Sequence, residues 1–474
     1  MLFSSLVFLF LFLPLFFLSY FAAKKRRTRN ILLLCFSLVF YAWGETLHVL
    51  LMIFSIAANY FFALAIEKKQ MAENQKAAKT YMALAVGANL LLIAVFKYSG
   101  FFAEIFNSLA GSAVPVPKIE LPIGISFYTF QIMSYVIDVY RKQVPAQRDL
   151  LYLGAYLSGF PQLIAGPVVR YRTIAGELED RAETISDFSA GIKRFIAGLS
   201  KKVLIANTMA VSVDRILAFS GADYGMAGAW IAMVAYAMQI YFDFSGYSDM
   251  AIGMGRMMGF HYLENFNYPY MAASITDFWR RWHISMSTFF RDYVYIPLGG
   301  SRVSRGRWVF NMAVVWACTG LWHGANWTFV IWGMYFGALL IAEKLAVGRL
   351  IEKLPVIKNI YALFLVVVGW AIFRAESVGQ MGELLRAMFG GYGGGGAQIP
   401  LAALLQQSEC GLVFFAMLAA AAIASMPASR FIKDKLSRLK NGALFMDVCT
   451  LTVFALCVIE LALGSYNPFI YFDF

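Results

Sequence analysis

Two of the four histidines lie in segments that favour chemistry. His323 lies in "GLWHGANWTFVIWG", within an apolar stretch, directly after Trp322 and close to Asn326. An ionisable side chain at membrane depth is costly to bury and functional by default, and the neighbouring glycines permit close approach of a helix or a ligand. We therefore predict that His323 is catalytic and that Trp322 and Asn326 support it. A histidine satisfied within the core is the alternative.

His283 lies in "TDFWRRWHISMSTFFRDYVYIPLGG" (276–300), a segment too polar to span a membrane yet rich in aromatic residues and arginines. Residues 276–307 contain six Arg and two Asp, a net charge of +4. Amphipathic helices at the cytoplasmic face would explain this pattern. So would a basic entrance for an anionic, phosphate-bearing donor, because arginine makes charge-assisted contacts to phosphate. The two interpretations are compatible, and the second makes Arg280, Arg281 and Arg291 candidate donor-binding residues.

Carboxylates offer a further set of candidates in "YFDFSGYSDMAIG" (241–253), where Asp243 and Asp249 lie beside hydroxyl groups in an apolar context. We expect them to orient a histidine or to cap helices, and we treat Asp243 as a supporting residue. No metal site is predicted, because no HExxH motif occurs and no carboxylate lies at ligand spacing from either candidate histidine. His48 and His261 are expected to be packing or interfacial residues.

The composition defines the elements that must position these residues. The chain is 60% hydrophobic and 14% charged over 474 residues, and apolar runs of about 20 residues recur along it, each long enough to cross a bilayer. The sequence therefore predicts an all-α polytopic integral membrane protein. Its net charge of +12 is concentrated in short loops between apolar runs, which is typical of the positive-inside rule and argues against nucleic-acid binding.

Charge asymmetry predicts about twelve crossings, with both termini outside. The segment before "KKRRTR" (24–29) has no preceding charge, so it is a retained helix and not a signal peptide. "GFPQLIAGPVVRYR" (159–172) carries two Pro and two Gly, which predicts a broken or re-entrant helix. Helices are expected near 203–219 and 227–242, followed by a mixed stretch over 249–307. We predict one transmembrane domain over 1–466 and a tail over 467–474.

Six sequence blocks resemble the membrane-bound O-acyltransferase family, and most closely its bacterial branch that serves alginate and peptidoglycan O-acetylation. In chain order they are "LPIGISFYTFQIMSYVIDVYR", "FPQLIAGPV", "QIYFDFSGYSDMAIG", "FWRRWHIS", "FRDYVYIPLGG" and "GLWHGANWT". The D-alanyl transfer subunit of lipoteichoic acid modification resembles the chain more distantly. The resemblance extends over nearly the whole chain, and it leaves open which polysaccharide is modified.

The resemblance implies a ring of transmembrane helices around a thinned centre, with a tunnel that joins the cytoplasm to the outside. His323 matches the hallmark histidine of the family and His283 matches its second histidine. The implied donor is cytoplasmic acetyl-CoA, with no further cofactor. The implied location is the cytoplasmic (inner) membrane of a bacterium, and the implied acceptor is a periplasmic SGNH-type transferase that acetylates the polymer.

Elementary chemistry is consistent with these expectations. Imidazole has a pKa near 6.5, so His323 suits a general base at neutral pH, while His283 would hold the thioester or polarise its carbonyl. The tail "NPFIYFDF" places Tyr471 among phenylalanines, and it resembles an aromatic C-terminal motif of the same branch. Tyr471 is either part of an interfacial anchor or a nucleophile that relays the acetyl group.

Two other functions remain open at this stage. One is an acyltransferase that acts on a lipid or a protein. The other is a transporter, although the paired broken helices that point to a transport site do not occur in matching halves of the sequence.

Overall fold

The computed structural model describes the chain except residues 165, 352, 356, 393–397, 429–430, 432–434, 437, 440, 465, 468–469 and 471–474. Its described part consists of helices and connecting segments, without β-strands. The predicted all-α class is therefore confirmed. Tyr471 lies outside the described residues.

Twenty-two α-helices are numbered here in chain order within the described residues. The first nine are α1 (Leu13–Ala22), α2 (Arg26–Ala42), α3 (His48–Met71), α4 (Gln75–Ile93), α5 (Ser99–Ala110), α6 (Ile125–Tyr140), α7 (Leu150–Ser158), α8 (Phe160–Leu163) and α9 (Tyr171–Glu179). The next seven are α10 (Ile185–Ser200), α11 (Asn207–Leu217), α12 (Gly221–Met257), α13 (Ile275–Arg281), α14 (Ile284–Phe290), α15 (Arg305–His323) and α16 (Trp327–Ala342). The last six are α17 (Gly348–Ile351), α18 (Ile357–Arg374), α19 (Val378–Met388), α20 (Leu401–Gln407), α21 (Leu412–Ala424) and α22 (Gly442–Ala462).

Short π-helical and 3₁₀ turns extend or connect several of these helices. The π-helical turns are Phe8–Phe12, Ala94–Tyr98, Lys201–Ala206, Arg291–Tyr295 and Glu343–Val347, and the 3₁₀ turn is Pro269–Met271. The turn Lys201–Ala206 joins α10 to α11, so that Ile185–Leu217 forms one continuous helix of 33 residues.

Seven helices in the described part of the chain are long and apolar enough to cross a membrane, or eight if the bent pair α20 and α21 is one span. The protein is therefore a multi-pass membrane protein, but the predicted count of about twelve is not confirmed. One reason is that some apolar segments form short helices. For example, α6 has 16 residues, or roughly 24 Å at 1.5 Å per residue, less than the hydrocarbon thickness.

The helices that carry Lys202 and Asp243 are longer than predicted. The expected helices near 203–219 and 227–242 correspond to Ile185–Leu217 and to α12, which continues eight residues beyond 249 to Met257. Glycines explain their close packing. A Cβ on Gly246 would lie 2.7 Å from Gly198 O, and one on Gly253 would lie 2.6 Å from Gly191 O. Small residues seven positions apart thus form one face for contact.

The contacts divide the chain into two units. The first comprises Met1–Phe195 and Ser248–Leu263. It contains the predicted break, which is confirmed: α7 ends at Ser158, and the short α8 begins at Phe160, whose N–H donates to Ser37 Oγ at 3.0 Å. The ring of Phe160 packs against Phe16 at 5.0 Å between centroids. Apolar packing therefore holds the irregular backbone inside the protein.

The basic segment after α1 forms ion pairs in this unit. Arg26 and Arg29 both bind Glu183. Although burial opposes it, hydrogen bonds from Arg26 and Tyr20 lower the pKa of Glu183 to about 2. This cluster therefore fixes the beginning of α2 as well as contributing to the charge asymmetry.

The second unit comprises Ile196–Tyr247 and Glu264–Phe474 and contains both candidate histidines. Tryptophans form its core, and Trp279 of α13 packs against Trp316 of α15 at 4.8 Å and Trp332 of α16 at 5.6 Å. The buried carboxylate of Glu343 accepts hydrogen bonds from the first N–H groups of α13, at 2.6 Å from Ile275 and 2.9 Å from Thr276. A carboxylate satisfies and stabilises a helix N-terminus. The apolar face of the predicted amphipathic segment thus packs on protein.

Candidate active site

His323 is the last residue of α15 and is only 5% exposed. The helix ends there because Gly324 is extended, and a Cβ at that glycine would lie 2.3 Å from the ring of Phe329. The close packing of α15 on α16 depends on glycine as well, since a Cβ on Gly333 would lie 2.3 Å from Trp316 O. The glycines around His323 therefore serve helix packing, one of the two roles predicted for them.

Aromatic rings surround the imidazole of His323. Their centroids lie 4.8 Å away for Trp322, 4.9 Å for Trp332, 5.0 Å for Phe373 and 6.4 Å for Phe329. Such walls exclude water and lower the local dielectric constant, which strengthens any electrostatic interaction with a reacting group. The site can therefore support proton transfer by an imidazole.

His283 is fully buried and has a left-handed backbone, with φ of 46°. This conformation is uncommon outside glycine and persists where the surrounding contacts require it. Asn265 provides those contacts: its Oδ1 accepts from Ser285 N at 3.1 Å, from Ser285 Oγ at 2.9 Å and from His283 Nδ1 at 3.3 Å. The N–H of Ile284 donates to Asn265 O at 3.0 Å. Asn265 thus fixes the beginning of α14 and the histidine together.

This hydrogen-bond network assigns the tautomer of His283. Asn265 Oδ1 is an acceptor, so Nδ1 carries the proton and Nε2 carries a lone pair. Nε2 is buried, without a hydrogen-bond partner among the described residues. Burial lowers the pKa of His283 to about 3, and the residue lies outside the helices long enough to span a membrane. The neutral ring can accept a hydrogen bond through Nε2. The catalytic role predicted for His283 remains a prediction.

Trp322 lies beside both histidines. Its ring centroid is 4.8 Å from that of His323 and 5.7 Å from that of His283, and Phe244 covers His283 from α12 at 4.7 Å. The structure therefore brings His283, His323 and Trp322 into one aromatic cluster, although the histidines are forty residues apart in sequence.

Asn326 has a structural position. Its Oδ1 accepts from Thr328 N at 3.1 Å and caps α16, while its Nδ2 donates to Glu376 O at 2.7 Å. These contacts fix the turn that follows His323. The supporting role predicted for Asn326 is thus consistent with positioning this turn.

The three candidate donor-binding arginines differ in their surroundings. Arg280 is exposed, Arg281 pairs with Asp277 at 2.8 Å within α13, and Arg291 pairs with Asp292 at 2.8 Å. Arg280 and Arg291 are both exposed, and the role of the three arginines toward a donor remains a prediction. In the described part of the chain, no group of three or more His, Cys, Asp and Glu residues could hold a metal ion.

Asp243 is buried in the middle of α12, and its carboxylate has two partners. Lys202 Nζ lies 2.7 Å from Oδ1, and the N–H of Ile470 donates to Oδ2 at 3.0 Å. These contacts are neither a helix cap nor a hydrogen bond to a histidine, the two roles expected from the sequence. Asp249 pairs with Arg194 at 2.6 Å in the first unit.

Sequence reasoning missed Lys202 and Asn265. Lys202 offered a signal, because it lies in the apolar helix Ile185–Leu217 and a lysine at that depth suggests a function. Asn265 offered none, since an asparagine in a polar connecting segment is ordinary.

The sequence model of the membrane-bound O-acyltransferase family matches residues 39–373, a range that contains Lys202, Asp243, His283 and His323. The chain therefore belongs to this family, as the sequence blocks predicted, and it is an acyltransferase.

Individual relatives define the branch further. The probable alginate O-acetylase AlgI of Pseudomonas putida is 39% identical over 100% of both chains. The probable alginate O-acetylase AlgI of Pseudomonas aeruginosa is 45% identical, over 82% of this chain and 75% of its own. The peptidoglycan O-acetyltransferase of Helicobacter pylori is 34% identical, over 82% of this chain and 80% of its own.

Proposed function

We propose that the protein moves acetyl groups from cytoplasmic acetyl-CoA across the bacterial cytoplasmic membrane, for O-acetylation of an extracytoplasmic polysaccharide such as alginate or peptidoglycan. Both termini lie outside in this proposal. The carrier is Tyr471, and a periplasmic SGNH-type transferase takes the acetyl group from it. Relatives named for alginate and peptidoglycan O-acetylation support the polysaccharide as the final acceptor.

The first step is transfer from sulfur to the phenol. His323 takes the proton from the Tyr471 hydroxyl, the oxygen attacks the thioester carbonyl, and the C–S bond breaks. The proton on His323 then passes to the leaving thiolate, so the products are acetyl-tyrosine and free CoA. A phenol has a pKa near 10, against roughly 8.5 for a thiol. The tyrosine ester therefore stays activated, and the step loses little free energy.

The second step occurs outside. A hydroxyl of the partner enzyme attacks the carbonyl of the acetyl-tyrosine ester, and the Tyr471 phenolate leaves. The proton released by the attacking hydroxyl passes to this phenolate and restores the phenol. An alkyl hydroxyl is a poorer leaving group than a phenol, so this transfer is downhill. The arrangement moves a small acyl group through the membrane protein and leaves the multiply anionic CoA in the cytoplasm.

The observation that carries the proposal is the ring of aromatic side chains around His323, in the same unit that holds Ile470. These side chains shield the imidazole from water. Ile470 is 8% exposed and bonded to Asp243, so the residue directly before Tyr471 in sequence lies inside this unit and not at its surface.

The experiment is a single-turnover assay with the purified protein in lipid nanodiscs and radiolabelled acetyl-CoA, without the partner enzyme. We expect the wild-type protein to release CoA and to carry label on its C-terminal peptide. Tyr471→Phe should release no CoA above background and carry no label there, because only the phenol oxygen is removed. Tyr60→Phe is the matched control, since it removes one phenol oxygen from the first unit. Normal CoA release by Tyr471→Phe in this assay, or normal polymer acetylation in cells that carry this variant, would refute the relay.

A further inference from the structure

A lysine and an aspartate form a buried ion pair in the second unit. The side chains of Lys202 and Asp243 are 4% and 2% exposed, and their charged atoms lie 2.7 Å apart. Each comes from a helix long and apolar enough to span a membrane. Burying two charges costs more free energy than their attraction commonly returns, so a pair at such depth suggests a function.

The carboxylate of Asp243 has a second partner, which lies in the C-terminal tail. Lys202 binds Oδ1 of Asp243, and Oδ2 accepts the N–H of Ile470 at 3.0 Å. A buried peptide N–H needs an acceptor, and an ionised carboxylate is the strongest that a side chain offers. Lys202 contacts one carboxylate oxygen of Asp243, and the other oxygen accepts one peptide N–H of the tail.

Two further contacts trace the path of the tail along the helix Ile185–Leu217. Tyr466 OH donates to Asp214 Oδ2 at 3.1 Å, and Asn207 Nδ2 donates to Asn467 Oδ1 at 3.1 Å. From Asp214 through Asn207 to Lys202, whose partner Asp243 accepts from Ile470, the helix rises by twelve steps, or roughly 18 Å at 1.5 Å per residue. The described tail residues Tyr466, Asn467 and Ile470 therefore follow one another in the direction opposite to this helix, from an exposed Tyr466 to a buried Ile470.

We propose that the Lys202–Asp243 pair is the docking site of the C-terminal tail and sets the position of Tyr471. Lys202 and Asp243 are positioning residues, which act through the backbone of Ile470. Because adjacent Cα atoms are about 3.8 Å apart, fixing Ile470 confines Tyr471 to a small volume. The docking part stands on the contacts alone, whereas the consequence for transfer rests on the proposed relay.

The test compares two double variants. Lys202→Met with Asp243→Leu removes both charges and the acceptor, and paired removal avoids leaving a buried charge uncompensated. Lys202→Met with Asp243→Asn also removes both charges but keeps an amide oxygen as acceptor. Arg215→Gln with Glu409→Gln is the control, because it removes a half-exposed ion pair whose arginine lies on the same helix as Lys202.

Tail docking is measured independently of acetyl transfer. The readout is the rate at which a membrane-impermeant maleimide labels a cysteine introduced by Phe474→Cys. The five native cysteines are first replaced by serine or alanine. We expect labelling in the Leu variant to be faster by about tenfold or more, the effect of losing one charge-assisted hydrogen bond. The Asn variant should lie between it and the parent. Unchanged labelling in a folded Leu variant would overturn the docking site.

Acetyl transfer is measured in the same double variants without the added cysteine. The Leu variant should lose transfer by about tenfold or more, and the control pair should retain it. Faster labelling with unchanged transfer would overturn the positioning role. If Tyr471→Phe itself transfers normally, the relay fails, and the labelling experiment still decides the docking site.

Discussion

The neutral state of His283 leads to a prediction about stability and pH. The folded protein keeps this imidazole unprotonated, because burial lowers its pKa to about 3, whereas the unfolded chain titrates near 6.5. Between these values the unfolded state binds one proton more than the folded state. Stability is therefore unaffected by this group above about pH 6.5 and falls as the pH decreases below that value.

The magnitude follows from the two pKa values. At pH 5 the solution is about 1.5 pH units below the pKa of the unfolded chain, and each unit corresponds to about 1.4 kcal/mol. Keeping His283 neutral therefore lowers the free energy of unfolding by about 2 kcal/mol at this pH. His283→Asn removes the titration. An asparagine side chain can donate to Asn265 Oδ1 as Nδ1 does, and asparagine tolerates the left-handed backbone at this position.

The assay is thermal unfolding of the protein in detergent at pH 8 and pH 5, for the wild type and for His283→Asn. Between pH 8 and pH 5, we expect the free energy of unfolding to fall by about 2 kcal/mol more for the wild type than for the variant. Other titrating groups are common to both proteins, so the difference isolates His283. Equal losses would refute the neutral buried histidine, and with it the assignment of Nε2 as an acceptor.

Two predictions concern catalysis and donor binding. His323→Ala should lower CoA release by about 10²–10⁴-fold, the usual contribution of a general base, with the protein still present in the membrane at normal amounts; near-normal transfer would exclude this role. Arg280→Gln should raise the apparent KM for acetyl-CoA more than Arg291→Gln does, because both arginines are exposed but Asp292 partly neutralises the charge of Arg291. The difference between these variants should shrink at high salt as screening increases, and an unchanged KM with lower turnover would indicate a structural role instead.

Much of the candidate site was predictable from the sequence, because ionisable side chains are rare in apolar segments. Few ionisable residues occur in the apolar stretches, so His323 was conspicuous as soon as it was found between tryptophans and glycines. The break after Ser158 was predictable for a similar reason, since Pro and Gly interrupt an apolar run there. Helix number and length were harder to predict, because hydropathy does not reveal which glycines permit two helices to pack closely.

The sequence by itself determined the all-α membrane class, the family and the two histidines, because hydropathy, charge asymmetry and motif spacing are properties of the linear chain. The tertiary structure decided which side chains these residues contact. Asn265 fixes His283, and Trp322 lies beside both histidines. Asp243 pairs with Lys202 and accepts a hydrogen bond from Ile470, 227 residues further along the chain. Hydropathy shows which residues are buried, but a hydrogen bond or an ion pair needs two specific atoms within about 3 Å. Only the folded arrangement of distant helices brings those atoms together.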